Sequence, residues 1–352
     1  MRIVSVVGAR PQFIKAAVLR RIFAENDIEE RLIHTGQHYD NEMSGNLFLE
    51  LEIKPPDYTF SLTERSHGAM TGEILKNIES VLLVEKPDYC LVYGDTNSTL
   101  AGALAASKLQ IPVIHVEAGL RSRNLKMPEE INRILTDHAS SILFCSTNEA
   151  VSNLSGEGIT KDVYWVGDIM YDVLLHMKEK IGNREAIDKI IDIGRRPYAL
   201  LTLHRQENLS DESRLRELVD YVKKFAVDYE IILLAHPNTK RILDSFHLDL
   251  DPIYILPPQG YTVTQTLVKN SAFVLTDSGG LQKEAYFNGV RCVTLRDETE
   301  WNELITNGWN RLWTDATYRC DPRPIPEYGS GDTGRLILNE IQRHYALNTT
   351  TL

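Results

Sequence analysis

The sequence predicts an α/β protein built of two successive doubly wound sheets. Short apolar runs alternate with stretches of helical periodicity, the pattern of parallel strands covered by helices. That alternation restarts once, past the middle of the chain. The length, 352 residues, exceeds one comfortable core and suits two domains of roughly 150–200 residues.

In the first half, strands are predicted at Ile3–Val7, Arg31–Thr35, Tyr89–Tyr93, Val113–Val116, Ile142–Cys145 and Val163–Val166. Helical stretches such as Gln12–Glu25, Gly68–Leu83 and Asn148–Gly156 lie between them. The second set of predicted strands is Tyr198–Thr202, Glu230–Ala235, Ile253–Leu256, Phe273–Thr276 and Cys292–Leu295. It alternates with helices at Ser213–Phe225, Val263–Lys269, Leu281–Asn288 and Glu300–Asn307. The expected boundary lies near Gly167–Ile169, giving domains 1–168 and 169–332. A final helix, about 333–346, has one apolar face and is expected to pack back on the first domain. Ligands of such folds lie at the carboxyl ends of strands, so the cleft between the domains is the expected site.

Composition narrows the function. The chain is 43% hydrophobic and 25% charged, with a formal net charge of −11 and no run rich in Lys or Arg. A nucleic-acid partner is therefore not expected. Four cysteines, Cys90, Cys145, Cys292 and Cys320, lack C-x-x-C spacing and read as free thiols. No signal-peptide pattern and no run of about 18 apolar residues is present, which predicts a cytoplasmic protein with no membrane partner.

The strand ends carry the chemistry. Gly8-Ala9-Arg10-Pro11-Gln12-Phe13-Ile14-Lys15 turns from strand into helix, where free amides can meet an anion and Arg10 and Lys15 can add charge. The plainer reading is a turn with two solvated cations. Asp95, after the third strand, can enter the cleft or merely cap the next helix. Glu117 follows an apolar strand and is costly to bury unpaired, with Arg121 as a candidate partner. Glu129 and Glu130 follow Pro128 and suit a helix start. Helix starts do not explain three acidic sites on one side of one sheet. Crowded carboxyls have their pKa values spread, so one can act as acid and another as base.

In the second half, His204 and His236 follow equivalent strands, which favours a shared pocket. Thr276-Asp277-Ser278-Gly279-Gly280-Leu281-Gln282-Lys283-Glu284 breaks a strand into a helix through glycines. Amides there can approach a phosphate, and Glu284 is placed to accept from ribose hydroxyls. The alternative is a glycine turn with an exposed helix Glu. No metal-ligand spacing and no nucleophile elbow is visible, so neither a metal nor a cofactor is expected.

These segments together resemble the non-hydrolysing UDP-N-acetylglucosamine 2-epimerase family, whose fold is the two-Rossmann-domain (GT-B) arrangement. GARPQFIK, HTGQHYD, YGDTNSTLAGALAA, HVEAGLRS, MPEEINR, TLHRQEN, AHPN, TDSGGLQKEA and YGSG occur in order over roughly residues 1 to 340. The resemblance implies an isomerase with catalytic residues Asp95, Glu117, Glu129 and His204. It implies nucleotide-diphosphate contacts from Arg10, Lys15, His236, Ser278, Gly279 and Gly280, and a ribose contact from Glu284. UDP would be eliminated to leave a bound 2-acetamido glycal, then re-added after protonation of the opposite face of carbon 2. It further implies a UDP-sugar substrate, a homodimer and a role in bacterial surface polysaccharide synthesis.

Two departures bear on the substrate. An acidic residue usually follows R-P in the first loop, and here Gln12 does; the later T-E-R-P-E reads Thr299-Glu300-Trp301-Asn302-Glu303. The branch acting on UDP-2,3-diacetamido-2,3-dideoxyglucuronate in O-antigen synthesis is thus the alternative. Gln37 and His38 match part of a second, activating substrate site found in some members, but His67 stands where a Gln is expected. A glycosyltransferase of the same fold is the rival from another class, and it would not need the three carboxylates.

Overall fold

A computed structural model of the chain describes residues 1–37 and 47–350. Its first sheet is formed by β1 (Arg2–Val7), β2 (Glu29–His34), β3 (Tyr58–Thr59), β4 (Tyr89–Tyr93), β5 (Val113–Val116), β6 (Ile142–Cys145) and β7 (Val163–Trp165). The strands are parallel throughout, in the order β3-β2-β1-β4-β5-β6-β7. The second sheet contains β8 (Tyr198–Thr202), β9 (Glu230–Leu234), β10 (Ile253–Leu256), β11 (Phe273–Thr276), β12 (Cys292–Thr294) and β13 (Asn310–Leu312). It too is parallel, in the order β10-β9-β8-β11-β12-β13. This is the α/β, doubly wound architecture that the alternating pattern predicts.

Parallel strands covered by helices on both faces carry nearly continuous apolar runs. All five residues of β4 are buried. In the second sheet, alternate residues feed two cores: Ala199, Leu201, Leu233 and Leu275 pack on one face, and Tyr198, Leu200, Ile232 and Val274 on the other. The order reverses at β1/β4 in the first sheet and at β8/β11 in the second. Such reversal points open a crevice at the carboxyl ends of the strands.

The chain divides into two compact units, Met1–His176 with Pro326–Leu352, and Met177–Ile325. The boundary between the units lies at His176/Met177, at the end of a helix, Ile169–Met177, whereas the expected 168/169 position is where that helix starts. That helix stays with the first unit because Ile169, Met170 and Val173 are buried there. In addition, Asp172 accepts from the amides of Thr333 (3.3 Å) and Gly334 (2.8 Å). Those amides open the last helix, Thr333–Thr350. A side chain at Gly334 would collide with Val18 and Ile22 of the helix Arg10–Glu25, so glycine lets the two helices meet closely. Among the described residues, no helix is long and apolar enough to cross a membrane.

Candidate active site

At the reversal point of the first sheet, Gln12 joins two strand ends. Its Oε1 accepts from the amides of Gly8 (2.7 Å) and Ala9 (3.0 Å). Its Nε2 donates to the Tyr93 carbonyl (2.6 Å) and to the Thr96 and Thr99 hydroxyls. Arg10 opens the helix Arg10–Glu25 and is half-buried. Lys15, one turn further on, is buried and places its ammonium against the Glu117 carboxylate. Glu117 sits just past β5 at φ +71°, in the left-handed region. Its amide and that of Ala118 both donate to the Phe144 carbonyl, which holds this conformation. A non-glycine residue kept there stores roughly 1–3 kcal/mol, a cost found most often at functional positions.

Asp95 follows β4 and the left-handed Gly94 (φ +61°). Thr96, not Asp95, caps the helix Asn97–Lys108, accepting from the Thr99 amide. The Asp95 carboxylate is free of that duty and lies 2.8 Å from the Arg133 guanidinium. Its backbone carbonyl accepts from Asn132 Nδ2 at 3.0 Å. Protein packed round the Asp95 carboxyl pushes its pKa above the usual carboxylate value; Arg133 opposes this, and the charges of Glu129 and Glu117 add to it. Asp95, Glu117 and Glu129 therefore share one electrostatic neighbourhood, as their placement at strand ends and a helix start implies.

Glu129 and Glu130 separate in role. Glu129 is half-buried at the start of the helix Pro128–Ala139. Glu130 turns inward and accepts from the amides of Ser122 (2.9 Å) and Arg123 (2.8 Å), so it ties a loop. Arg121, the partner expected for Glu117, instead binds Glu157 (2.7 Å) and Asp137 (2.8 Å). The true partner is Lys15, on the helix that follows β1, two strands from β5, whereas Arg121 is taken up by Asp137 and Glu157. Near these groups, Gln37 Oε1 accepts from the Ser98 amide (2.9 Å) and hydroxyl (2.7 Å). His67 lies 3.1 Å from Asn97 Nδ2. His38 falls outside the described residues.

The second unit repeats the arrangement with other groups. His204 follows β8, and its Nδ1 lies 3.1 Å from Asp277, which is fully buried just past β11. Asp277 also accepts from the amides of His204 and Arg205 and from Asn208 Nδ2. Burial alone would raise its pKa, but His204 and the two amides outweigh burial and hold it below the usual carboxylate range. Asp277 thus fixes the ring orientation of His204 and leaves Nε2 for a ligand. The motif Thr276–Glu284 contains Asp277 with nothing in the sequence pattern to mark its role beyond its position immediately after a strand.

Ser278 caps the helix Gly279–Phe287, its Oγ accepting from the Leu281 amide at 3.4 Å. A Cβ at Gly279 would meet Glu300 Oε1 at 2.7 Å, so a larger residue there would displace that carboxylate. Glu284 is buried in this helix, not an exposed helix Glu. His236 caps the helix Pro237–Ser245 through Nδ1, which accepts from the Asn238 amide. Trp301, standing where the family motif has Arg, is buried with the Lys283 ammonium 3.9 Å from its ring centre. Among the described residues, no group of three or more His, Cys, Asp or Glu side chains is arranged to hold a metal ion.

Residues 20–319 match the family model described as UDP-N-acetylglucosamine 2-epimerase. A UDP-N-acetylglucosamine 2-epimerase homolog of Methanococcus maripaludis is 49% identical over 321 residues, covering 89% of this chain and 88% of the relative. The UDP-2,3-diacetamido-2,3-dideoxy-D-glucuronate 2-epimerase of Pseudomonas aeruginosa is 47% identical over 317 residues, covering 89% and 88%. In structure, the chain is similar to Methanocaldococcus jannaschii UDP-GlcNAc 2-epimerase in complex with UDP-GlcNAc and UDP. That match has a TM-score of 0.90 and 39% identity, and covers 97% of this chain and 100% of the other. With a family model spanning most of its length and relatives at nearly half identity, the chain belongs to the UDP-N-acetylglucosamine 2-epimerase family, a family of isomerases.

Proposed function

We propose that this enzyme inverts carbon 2 of a UDP-linked 2-acetamido sugar, interconverting UDP-N-acetylglucosamine and UDP-N-acetylmannosamine. A base removes the carbon-2 proton as the carbon-1 to oxygen bond breaks, and UDP leaves with the bonding pair. The 2-acetamido glycal is then protonated on the opposite face of carbon 2, and UDP oxygen re-forms the bond to carbon 1. Two proton-transfer groups of different character are needed. The observation that carries the reading is their contrast: Glu117 is paired with the Lys15 ammonium, whereas the Asp95 carboxyl is pushed toward its protonated form by burial. Glu129 completes the acid/base set.

Arg10, Lys15, His236 and the helix start at Ser278, Gly279 and Gly280 are the proposed contacts of the diphosphate. Preorganised amides and positive charge stabilise a departing anion. His204, oriented by Asp277, assists departure, and the buried Glu284 accepts from the ribose. A second reading, turnover of UDP-2,3-diacetamido-2,3-dideoxyglucuronate, is favoured by Trp301 at the motif's Arg position and by 47% identity to the Pseudomonas aeruginosa relative. A cytoplasmic homodimer acting in surface polysaccharide synthesis is part of the proposal; the four cysteines, all free thiols, support the location.

The test is incubation of the protein in D₂O with each UDP sugar, without acceptor, followed by NMR at carbon 2. Deuterium at carbon 2 together with a manno-configured UDP sugar is expected from one donor. Free UDP without exchange, or no change with either donor, overturns the proposal.

A further inference from the structure

We infer that His115 is a positioning residue for the acid/base groups: its imidazole fixes the Gly94 carbonyl and, through it, the placement of Asp95 beside Glu117. The inference rests on the epimerase reading above, and it concerns a residue that lies two positions before Glu117 on β5.

His115 has no solvent exposure. Its Nε2 lies 2.7 Å from the Gly94 carbonyl oxygen. A carbonyl only accepts, so Nε2 carries a hydrogen and donates it. Its Nδ1 lies 2.7 Å from Asp137 Oδ1. Asp137 also accepts from the Gly119 amide (3.1 Å) and pairs with Arg121 (2.8 Å). Burial pushes the Asp137 pKa up, but His115 and Arg121 outweigh it and hold it below the usual carboxylate range. Nδ1 lies against that carboxylate, so both ring nitrogens are engaged. A ring engaged at both nitrogens with no exposure has no hydrogen bond left for a substrate, so His115 does not itself enter the chemistry.

What the ring holds is the turn that leads from β4 into Asp95. Gly94 is gripped on three sides. Its amide donates to the Val116 carbonyl at 3.0 Å, its carbonyl accepts from His115, and its Cα faces the Lys15–Glu117 pair. A Cβ at Gly94 would stand 3.3 Å from Glu117 Oε2 and 3.7 Å from Lys15 Nζ. The next residue is Asp95. The spacing between the two strand ends that bear Asp95 and Glu117 therefore passes through one glycine, and His115 is the side chain that fastens it. Asp137, on the helix Pro128–Ala139, extends the link to the element whose first turn carries Glu129.

Two substitutions divide the ring's bonds. His115→Gln sets an amide nitrogen near the Nε2 position and keeps donation to Gly94 while losing Asp137. His115→Asn sets one near Nδ1 and keeps Asp137 while losing Gly94. The expected result is a kcat lowered on the order of 10²-fold in His115→Asn, the scale of an ångström-sized misplacement, with UDP affinity by calorimetry unchanged. His115→Gln is expected to retain most of the turnover. Hydrogen exchange measured by mass spectrometry should quicken over residues 93–98 in His115→Asn and match the wild type in His115→Gln.

Equal loss of kcat in both variants, or loss of UDP binding alongside turnover, overturns the inference and leaves His115 as a core hydrogen bond. If His115→Asn does not fold, His115→Gln decides alone: wild-type exchange and turnover support the inference, and loss of both overturns it. Exchange reads the Gly94 segment whatever the enzyme's reaction, so failure of the epimerase reading is told apart from failure of this one.

Discussion

Asp277 holds His204 by two routes at once, through the imidazole Nδ1 at 3.1 Å and through the backbone amide of the same residue at 3.0 Å. Ring and main chain are thereby locked to a single buried carboxylate. Asp277→Asn keeps the shape but turns an acceptor edge into a donor, so the ring loses its orientation. A fall in kcat of about 10²–10⁴-fold is expected, the range for losing a general acid–base group. Steady-state kinetics coupled to carbon-2 exchange measures it.

The same carboxylate makes a prediction about pH. Its folded pKa lies below the unfolded value of about 4, so its stabilising contribution is present above that pH. It is lost as pH falls through the folded value. Calorimetric melting of the wild type should therefore decline more steeply below about pH 4 than that of Asp277→Asn. Parallel curves would show that Asp277 carries no linked stability.

Gly94→Ala tests the crowding beside the Lys15–Glu117 pair. The new methyl must take a left-handed conformation and press on Glu117 Oε2 from 3.3 Å. A stability cost of about 1–3 kcal/mol is expected from the backbone alone. Turnover should drop further than UDP affinity, since the group pressed most closely, Glu117, is one assigned to proton transfer. Thermal melts and calorimetric UDP titration separate the two effects.

Gln12→Glu restores the acidic residue usual after R-P in the family, and here it should destabilise. The new carboxylate still accepts from Gly8 and Ala9 but faces the Tyr93 carbonyl, 2.6 Å from the present amide nitrogen, with no donor. Setting two buried acceptor oxygens against each other where a hydrogen bond stood costs about 1–3 kcal/mol. A lower melting temperature, read by circular dichroism, is the expected outcome.

Glu117→Gln removes one partner of a mostly buried pair and leaves the Lys15 ammonium unmatched. Carbon-2 exchange should fall by about 10²–10⁴-fold. Exchange at the wild-type rate would exclude Glu117 from the proton transfer.

The strands of the two sheets were legible because each is an apolar run cut by turn residues. β4, β5, β6, β8, β10 and β11 have the predicted bounds. β3 and β13 were not foreseen: at two and three residues, Tyr58–Thr59 and Asn310–Leu312 are edge strands too short to show a period. Strand-end placement was legible for the same reason, since a polar residue after an apolar run is visible in one dimension. Pairing was not. Lys15 meets Glu117 across 102 positions of chain, and Arg121 looked the better partner only because it is near in sequence. Arg133 and Asp277 also went unassigned, because what gives each its role is a neighbour brought by the fold.

The interleaving of the two units has a consequence for biosynthesis. Val18 and Ile22, on the helix Arg10–Glu25, meet the helix Thr333–Thr350 at Gly334, yet residues 177–325 must leave the ribosome before that cover exists. At synthesis rates of about 5–20 residues per second this is a delay on the order of ten seconds. During it the nascent first unit presents an apolar strip that chaperones can recognise. The second unit is continuous and can close as it emerges, so the later part of the chain is set to mature before the earlier part.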